Sequence, residues 1–121
     1  QTISERIFVV LAMEARDPAA ESIARALRRR FQGQLAGIFY TVHRLAEGEA
    51  AGKGSNENWG FRCAKHWLCD TRGIALDDLV LTTCDADTFF HPAHFEYLAQ
   101  RFCAAGQERH RTIWQGAVCF L

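Results

Sequence analysis

Apolar runs alternate with helical patterns along this chain, and that alternation limits the fold more than any other feature. The run from Arg6 to Met13 is rich in Val, Ile and Phe, which is typical of a strand buried on both faces. Further strands are predicted over 35–42, 79–84 and 112–121. Amphipathic helices are predicted between them over 18–31, 56–70 and 91–105. The predicted buried faces of the first two helices carry Ile23, Ala26, Leu27, Phe31, Trp59, Cys63 and Trp67. The order βαβαβαβ predicts an α/β fold, an open and mostly parallel sheet with helices on both faces.

The composition favours one ordinary globular domain and argues against several kinds of partner. The chain has 121 residues, of which 49% are hydrophobic and 23% are charged, and its net charge is zero. A neutral chain lacks the basic surface that nucleic acids require, so no nucleic-acid partner is expected. The five cysteines are odd in number and include no Cys-x-x-Cys, which predicts free thiols in a reducing compartment. We therefore expect a location in the cytoplasm or at the cytoplasmic face of a membrane.

The two ends of the sequence suggest that residues 1–121 are a truncated part of a larger domain. The chain opens abruptly, and it ends inside the apolar run 116–121. No signal peptide is visible, and the apolar run 7–13 is too short to span a bilayer. Membrane association is expected only through missing parts of a parent protein.

Ionisable side chains follow each of the first three predicted strands. In open parallel sheets, ligands bind outside the carboxyl ends of the strands, so these side chains are candidates for one site. Asp17 followed by Pro18 also has a structural explanation, because the pair suits the start of a helix. The candidates are Glu14, Arg16 and Asp17 after the first strand, His43 and Lys53 after the second, and Asp85, Asp87 and Thr88 after the third.

The segment Asp85-Ala86-Asp87 is the most informative of these strand ends. Two carboxylates this close repel each other unless a cation or hydrogen-bond donors lie between them. Carboxylate oxygens suit Mg²⁺ or Mn²⁺, and such ions keep open positions for substrate phosphates. The segment therefore predicts a divalent metal beside a phosphorylated ligand.

The predicted loop 43–55 contributes a cation. Lys53 lies between two glycines and is followed by Ser55 and Asn56, so the segment has the flexibility and the donors to contact a phosphate or sugar. It lacks the spacing of a P-loop. The alternative is a solvated turn in which Ser55 or Asn56 caps the next helix.

Taken together, two segments resemble the family 2 glycosyltransferases. The stretch 52–59 is similar to their Gly-Lys…Asn segment, and 79–87 followed by Thr88, Phe89, Phe90 and Pro92 is similar to their strand and Asp-x-Asp loop. The chain thus resembles the N-terminal, nucleotide-sugar-binding part of a GT-A domain. The resemblance implies an inverting enzyme that moves a sugar from a nucleotide-diphosphate sugar to an unknown acceptor, which would be a glycan, a lipid or a protein.

The resemblance also implies roles for the acidic segment and the lysine segment. Asp87 would be the main ligand of Mn²⁺ or Mg²⁺ against the donor diphosphate, and Asp85 would contact the ribose or assist the metal. Lys53 would lie beside the nucleotide or its phosphates, and Asn58 would orient the loop or touch the donor.

The sequence has fewer of the family's residues for two other roles, which are contact with the nucleobase of the donor and general-base catalysis. The segment 13–17 would lie near the nucleobase, with Glu14 or Asp17 as the contact. Many family members carry an Asp pair after the second strand, whereas this chain has Thr41-Val42-His43 there. The family's catalytic base and acceptor motifs would lie beyond Leu121, so the chain would bind donor without transferring it.

The sequence is also compatible with other functions and other metal sites. A non-catalytic GT-A-like nucleotide-binding module or an inactive fragment fits the missing downstream part. A phosphatase of the haloacid dehalogenase type fits less well, because Phe89 stands where Thr or Val is wanted. His91 and His94 form a further candidate metal pair, and Cys63, His66 and Cys69 offer three zinc ligands where structural sites normally use four.

Overall fold

The computed structural model describes residues 2–116, and Gln1 and residues 117–121 lie outside the description. The chain divides into two compact units, an N-terminal unit over Gln1–Leu79 and a C-terminal unit over Val80–Leu121. The single domain over 1–121 stays a prediction.

The N-terminal unit contains a two-stranded parallel sheet. Strand β1 (Phe8–Glu14) pairs with strand β2 (Gly37–His43), in a register that runs from Phe8 opposite Gly37 to Glu14 opposite His43. Helix α1 (Ala20–Phe31) connects the two strands, as a parallel pair requires. The α/β class and the first two predicted strands are therefore confirmed, with each boundary moved by one or two residues.

A helix covers each face of this sheet. On one face, the Tyr40 hydroxyl lies 3.2 Å from Nε of Arg25 in α1. On the other face, helix α2 (Lys53–Lys65) packs so closely that a Cβ added at Gly60 would lie 3.3 Å from Cβ of Ala12. Successive side chains of a strand point to opposite faces, so this arrangement follows from the period of the strands.

Helix α1 buries small residues rather than the larger ones predicted. Ala20 and Ala24 are buried, whereas Ile23 is 46% exposed and Ala26 is exposed. The helix begins at Ala20 rather than Pro18, and Oδ1 of Asp17 accepts a hydrogen bond of 2.9 Å from the Ala19 amide. Small side chains let the helix lie close to the sheet. A prediction based on hydrophobicity alone does not take side-chain size into account.

Helix α2 begins earlier than predicted and buries a different face. It starts at Lys53 instead of residue 56, so the predicted loop 43–55 ends three residues too late. A π-helical segment (His66–Thr71) continues it. The buried positions recur at every fourth residue and are Asn56, Gly60, Ala64 and Leu68. The predicted face of Trp59, Cys63 and Trp67 is only partly covered, and Trp59 is 44% exposed.

The C-terminal unit forms no strand within residues 80–116, which corrects the predicted third strand. Val80 is 39% exposed and Leu81 is 61% exposed, and 79–84 joins no ladder in the described chain. An apolar run indicates that burial is favoured. A strand also needs a neighbouring strand to pair with, and the sequence of the run does not show whether one is present. Residues 112–116 are not a strand either, and the rest of the predicted fourth strand lies outside the described residues.

Helix α3 (His94–Ala104) is the main element of the C-terminal unit, and a 3₁₀ helix (Gly106–Arg111) follows it. The helix begins three residues after the predicted start at His91. The Phe90 ring lies 4.8 Å from the Phe95 ring, and the Phe102 ring lies 6.0 Å from Trp114. Among the described residues, no helix has the length and apolar character needed to cross a bilayer.

Candidate functional site

A cleft of about 410 Å³ lies at the carboxyl ends of β1 and β2. Residues that follow β1, residues that follow β2 and the first turn of α2 form its walls. The lining residues that matter for its chemistry are Glu14, Arg16, His43, Arg44, Gly52 and Asn56. This is the edge of a parallel α/β sheet where ligands bind. Of the candidates that follow the first two strands, Glu14, Arg16 and His43 line the cleft, and Asp17 and Lys53 do not.

Glu14 and Arg16 bring opposite charges to the end of β1. Nε of Arg16 donates to Oε2 of Glu14, and this hydrogen bond, with the attraction of the two charges, raises the pKa of Arg16. The Glu14 side chain is 31% exposed and that of Arg16 is 64% exposed. The strand thus ends in a carboxylate that is held in place yet still accessible from the cleft.

His43 closes the end of β2. It is only 8% exposed, its ring stacks on Trp59 at 5.6 Å, and its Nε2 lies 3.2 Å from Oε1 of Glu49. Oε2 of the same Glu49 accepts a hydrogen bond of 2.8 Å from the Ala46 amide. One carboxylate therefore fastens the loop after β2 to the strand from which it leaves.

The start of α2 forms the third wall. Gly52 has a φ of 146°, a conformation that favours glycine, and it directly precedes the helix. The first amides of a helix have no partner within it and carry partial positive charge. Lys53 is the first helical residue and pairs with Glu57 at 3.6 Å. The predicted cation therefore belongs to a helix start beside the cleft rather than to a flexible loop.

Asn56 lines the cleft from within α2 and is not the cap of that helix. It is 8% exposed, and its Nδ2 donates a hydrogen bond of 2.7 Å to the Ala12 carbonyl. Asn58, the predicted contact, is exposed on α2. The spacing of Asn56 from Gly60 and Ala64 was the available signal, because small residues four apart mark a helix face that lies close to a sheet.

The acidic segment lies in the C-terminal unit and forms a tight turn. The Thr88 amide donates a hydrogen bond of 3.1 Å to the Asp85 carbonyl, and the side chains of Asp85 and Asp87 are exposed. In the described part of the chain, no group of three or more His, Cys, Asp or Glu side chains gathers for a metal. Two carboxylates fit Mg²⁺ or Mn²⁺, which bind few protein ligands and leave positions for water and phosphate.

The remaining predicted residues have local structural roles. Asp17 accepts the Ala19 amide and does not line the cleft. His66 pairs with Asp70 at 3.1 Å, and Nδ1 of His91 accepts a hydrogen bond of 3.2 Å from the Ala93 amide. Within the described residues, Cys63, His66 and Cys69 do not gather into a group that could hold a metal ion.

Comparison with protein-family models, with curated proteins and with solved structures finds no match to this chain. The geometry therefore carries the functional argument. The cleft offers the carboxylate of Glu14, the guanidinium groups of Arg16 and Arg44, and the positive end of a helix that follows Gly52. Such groups suit a ligand that has both hydrogen-bonding edges and phosphates.

Proposed function

We propose that this chain is the donor-binding part of a family 2-like glycosyltransferase, which transfers a sugar with inversion from a nucleotide-diphosphate sugar to an acceptor. The observation that carries the proposal is the cleft at the carboxyl ends of two parallel strands, beside the first turn of α2. Nucleotides bind at this position in open α/β sheets because strand ends and helix starts offer polar groups there.

The N-terminal unit would hold the nucleotide. Lys53 and the first amides of α2 supply positive charge for phosphate oxygens, and Glu14 and the two arginines supply hydrogen-bonding partners for a base or ribose. Asn58 is exposed, so its role is limited to a contact from the outer surface of α2. Asp17 keeps its role as a turn residue.

The acidic turn would hold the metal. Asp87 is the proposed main ligand, and Asp85 assists it or contacts the ribose. A bound Mn²⁺ or Mg²⁺ supplies Lewis-acid chemistry by neutralising charge on the leaving diphosphate. The two carboxylates would bind the metal ion and orient it against the diphosphate. The turn between Asp85 and Thr88 sets the spacing of the two carboxylates.

The complete enzyme would need more chain than these residues. We place the catalytic base and the acceptor site beyond Leu121, and we propose that the sheet of the whole domain is open and mostly parallel. The parent would work in the cytoplasm or at the cytoplasmic face of a membrane. If the following residues lack an acidic base motif, the parent is a nucleotide-binding module rather than an enzyme.

Calorimetric titration with nucleoside diphosphates, with and without Mn²⁺, tests the donor site. We expect Mn²⁺ to strengthen binding and Asp87→Ala to remove that effect, because the variant loses the main metal ligand. Asp77→Ala changes an exposed aspartate outside both the cleft and the acidic turn and serves as the control. Binding that ignores both the metal and Asp87→Ala would contradict the proposal.

Lys53→Ala tests the phosphate contact. We expect weaker diphosphate binding and an intact thermal transition, since an exposed lysine seldom carries stability. Lys65→Ala, at the other end of the same helix, is the matched control and should bind normally. Loss of the unfolding transition in Lys53→Ala would assign the residue a structural role instead.

A further inference from the structure

The charged groups of the cleft have a definite hydrogen-bonding polarity. An ionised carboxylate only accepts hydrogen bonds and has about four positions for them, whereas a guanidinium only donates. Arg16 uses one of the positions on Glu14, so both carboxylate oxygens can still accept. Arg16 and Arg44 bring donors to the same cleft. A ligand that fits must therefore present adjacent donors to Glu14 and an acceptor to an arginine.

Guanine is the nucleobase whose edge has this pattern. Its N1–H and 2-amino group are neighbouring donors, which pair with the two oxygens of one carboxylate, and its O6 is an acceptor for arginine. Uracil, cytosine and adenine place a ring nitrogen or carbonyl acceptor beside their donor. With those bases, one carboxylate oxygen would face a lone pair.

The end of β2 strengthens the assignment. It carries His43, which is buried between Trp59 and Glu49, and it has no carboxylate at the cleft wall. Among the described residues that line the cleft, Glu14 is the carboxylate. A base that binds there either donates hydrogen bonds to Glu14 or meets no charged hydrogen-bond acceptor.

We propose that Glu14 is the specificity-determining residue of the cleft and selects a guanine nucleotide. The inference rests on the proposed function, since it names the base of the donor that the cleft would hold. Arg16 acts as a positioning residue, because its hydrogen bond fixes the carboxylate while leaving both oxygens able to accept. Bidentate pairing of this kind discriminates against a wrong base by roughly five- to 150-fold.

Titration of the whole chain with GDP, UDP and inosine diphosphate in the presence of Mn²⁺ tests the assignment without any variant. We expect GDP to bind at least about fivefold more tightly than UDP. Inosine diphosphate lacks only the 2-amino group, so it should lose most of that advantage. UDP binding as tightly as GDP would overturn the guanine assignment and leave the proposed function standing, whereas no diphosphate binding at all would overturn both.

Glu14→Gln should change which nucleoside diphosphate binds most tightly, and a purely structural role of Glu14 would not produce that change. The amide keeps the size of the side chain and replaces one acceptor with a donor, so GDP should weaken by about tenfold. Xanthosine diphosphate has a carbonyl where guanine has the 2-amino group, and it should bind the variant more tightly than it binds the parent chain. An equal loss for every diphosphate would assign Glu14 to the fold rather than to base selection.

Discussion

The N-terminal and C-terminal units contain similar apolar runs with different outcomes. The run at β1 pairs with β2 and lies between two helices, whereas 79–84 has no regular secondary structure and is mostly exposed. All of the buried apolar side chains described belong to the N-terminal unit, and no described residue in 80–116 is buried. The difference teaches that an apolar run becomes a strand only when a neighbouring strand is available to complete its hydrogen bonds.

The comparison is tested most strongly by truncating one phenylalanine in each unit. Phe39 stacks on Trp67 at 4.8 Å, and Phe89 is 91% exposed. We expect Phe39→Ala to lower the free energy of unfolding by about 2–3 kcal/mol, because it removes packing from a half-buried site. Phe89→Ala should change it by less than about 0.5 kcal/mol. Denaturant unfolding measures both, and equal losses would show that Phe89 is covered in solution.

The close approach of α2 to the sheet gives an effect of intermediate size. Gly60→Val places methyl groups against Ala12 and should cost about 1–3 kcal/mol through overpacking. Gly54 lies in the same helix with nothing within 4 Å of an added Cβ, so Gly54→Ala should stabilise the chain by about 0.5 kcal/mol. Circular dichroism during urea unfolding compares the pair. A stable Gly60→Val variant would contradict the tight packing described for the N-terminal unit.

The smallest expected difference concerns cysteine reactivity. Burial raises the pKa of the Cys63 thiol, so less thiolate is present near neutral pH and alkylation should be slow. Cys103 in the C-terminal unit is exposed and should react faster. Mass spectrometry of peptides after brief iodoacetamide treatment gives both rates. The Cys63 rate should keep rising at alkaline pH, and a rate equal to that of Cys103 at pH 7 would contradict the burial of Cys63.

Local patterns predicted the first half of the fold because its partners are close in sequence. Period and turn residues located β1, α1 and β2, which pack on one another. The same patterns predicted that Trp59 is buried and did not predict the burial of Asn56. The reason is that a helix packed closely against a sheet favours small side chains at the contact, whatever their hydrophobicity. Glu14 was found as a strand-end carboxylate, but its hydrogen bond from Arg16 depends on how the chain turns after β1.

Glu49 contacts both His43 and the Ala46 amide, and this has a consequence for ligand affinity. With one oxygen near His43 and the other bonded to the Ala46 amide, the segment entering α2 is ordered before any ligand arrives. Ordering a loop on binding costs conformational entropy, and that cost subtracts from affinity. A ligand in this cleft therefore meets a wall that is already assembled, so most of its contact energy remains available for holding it.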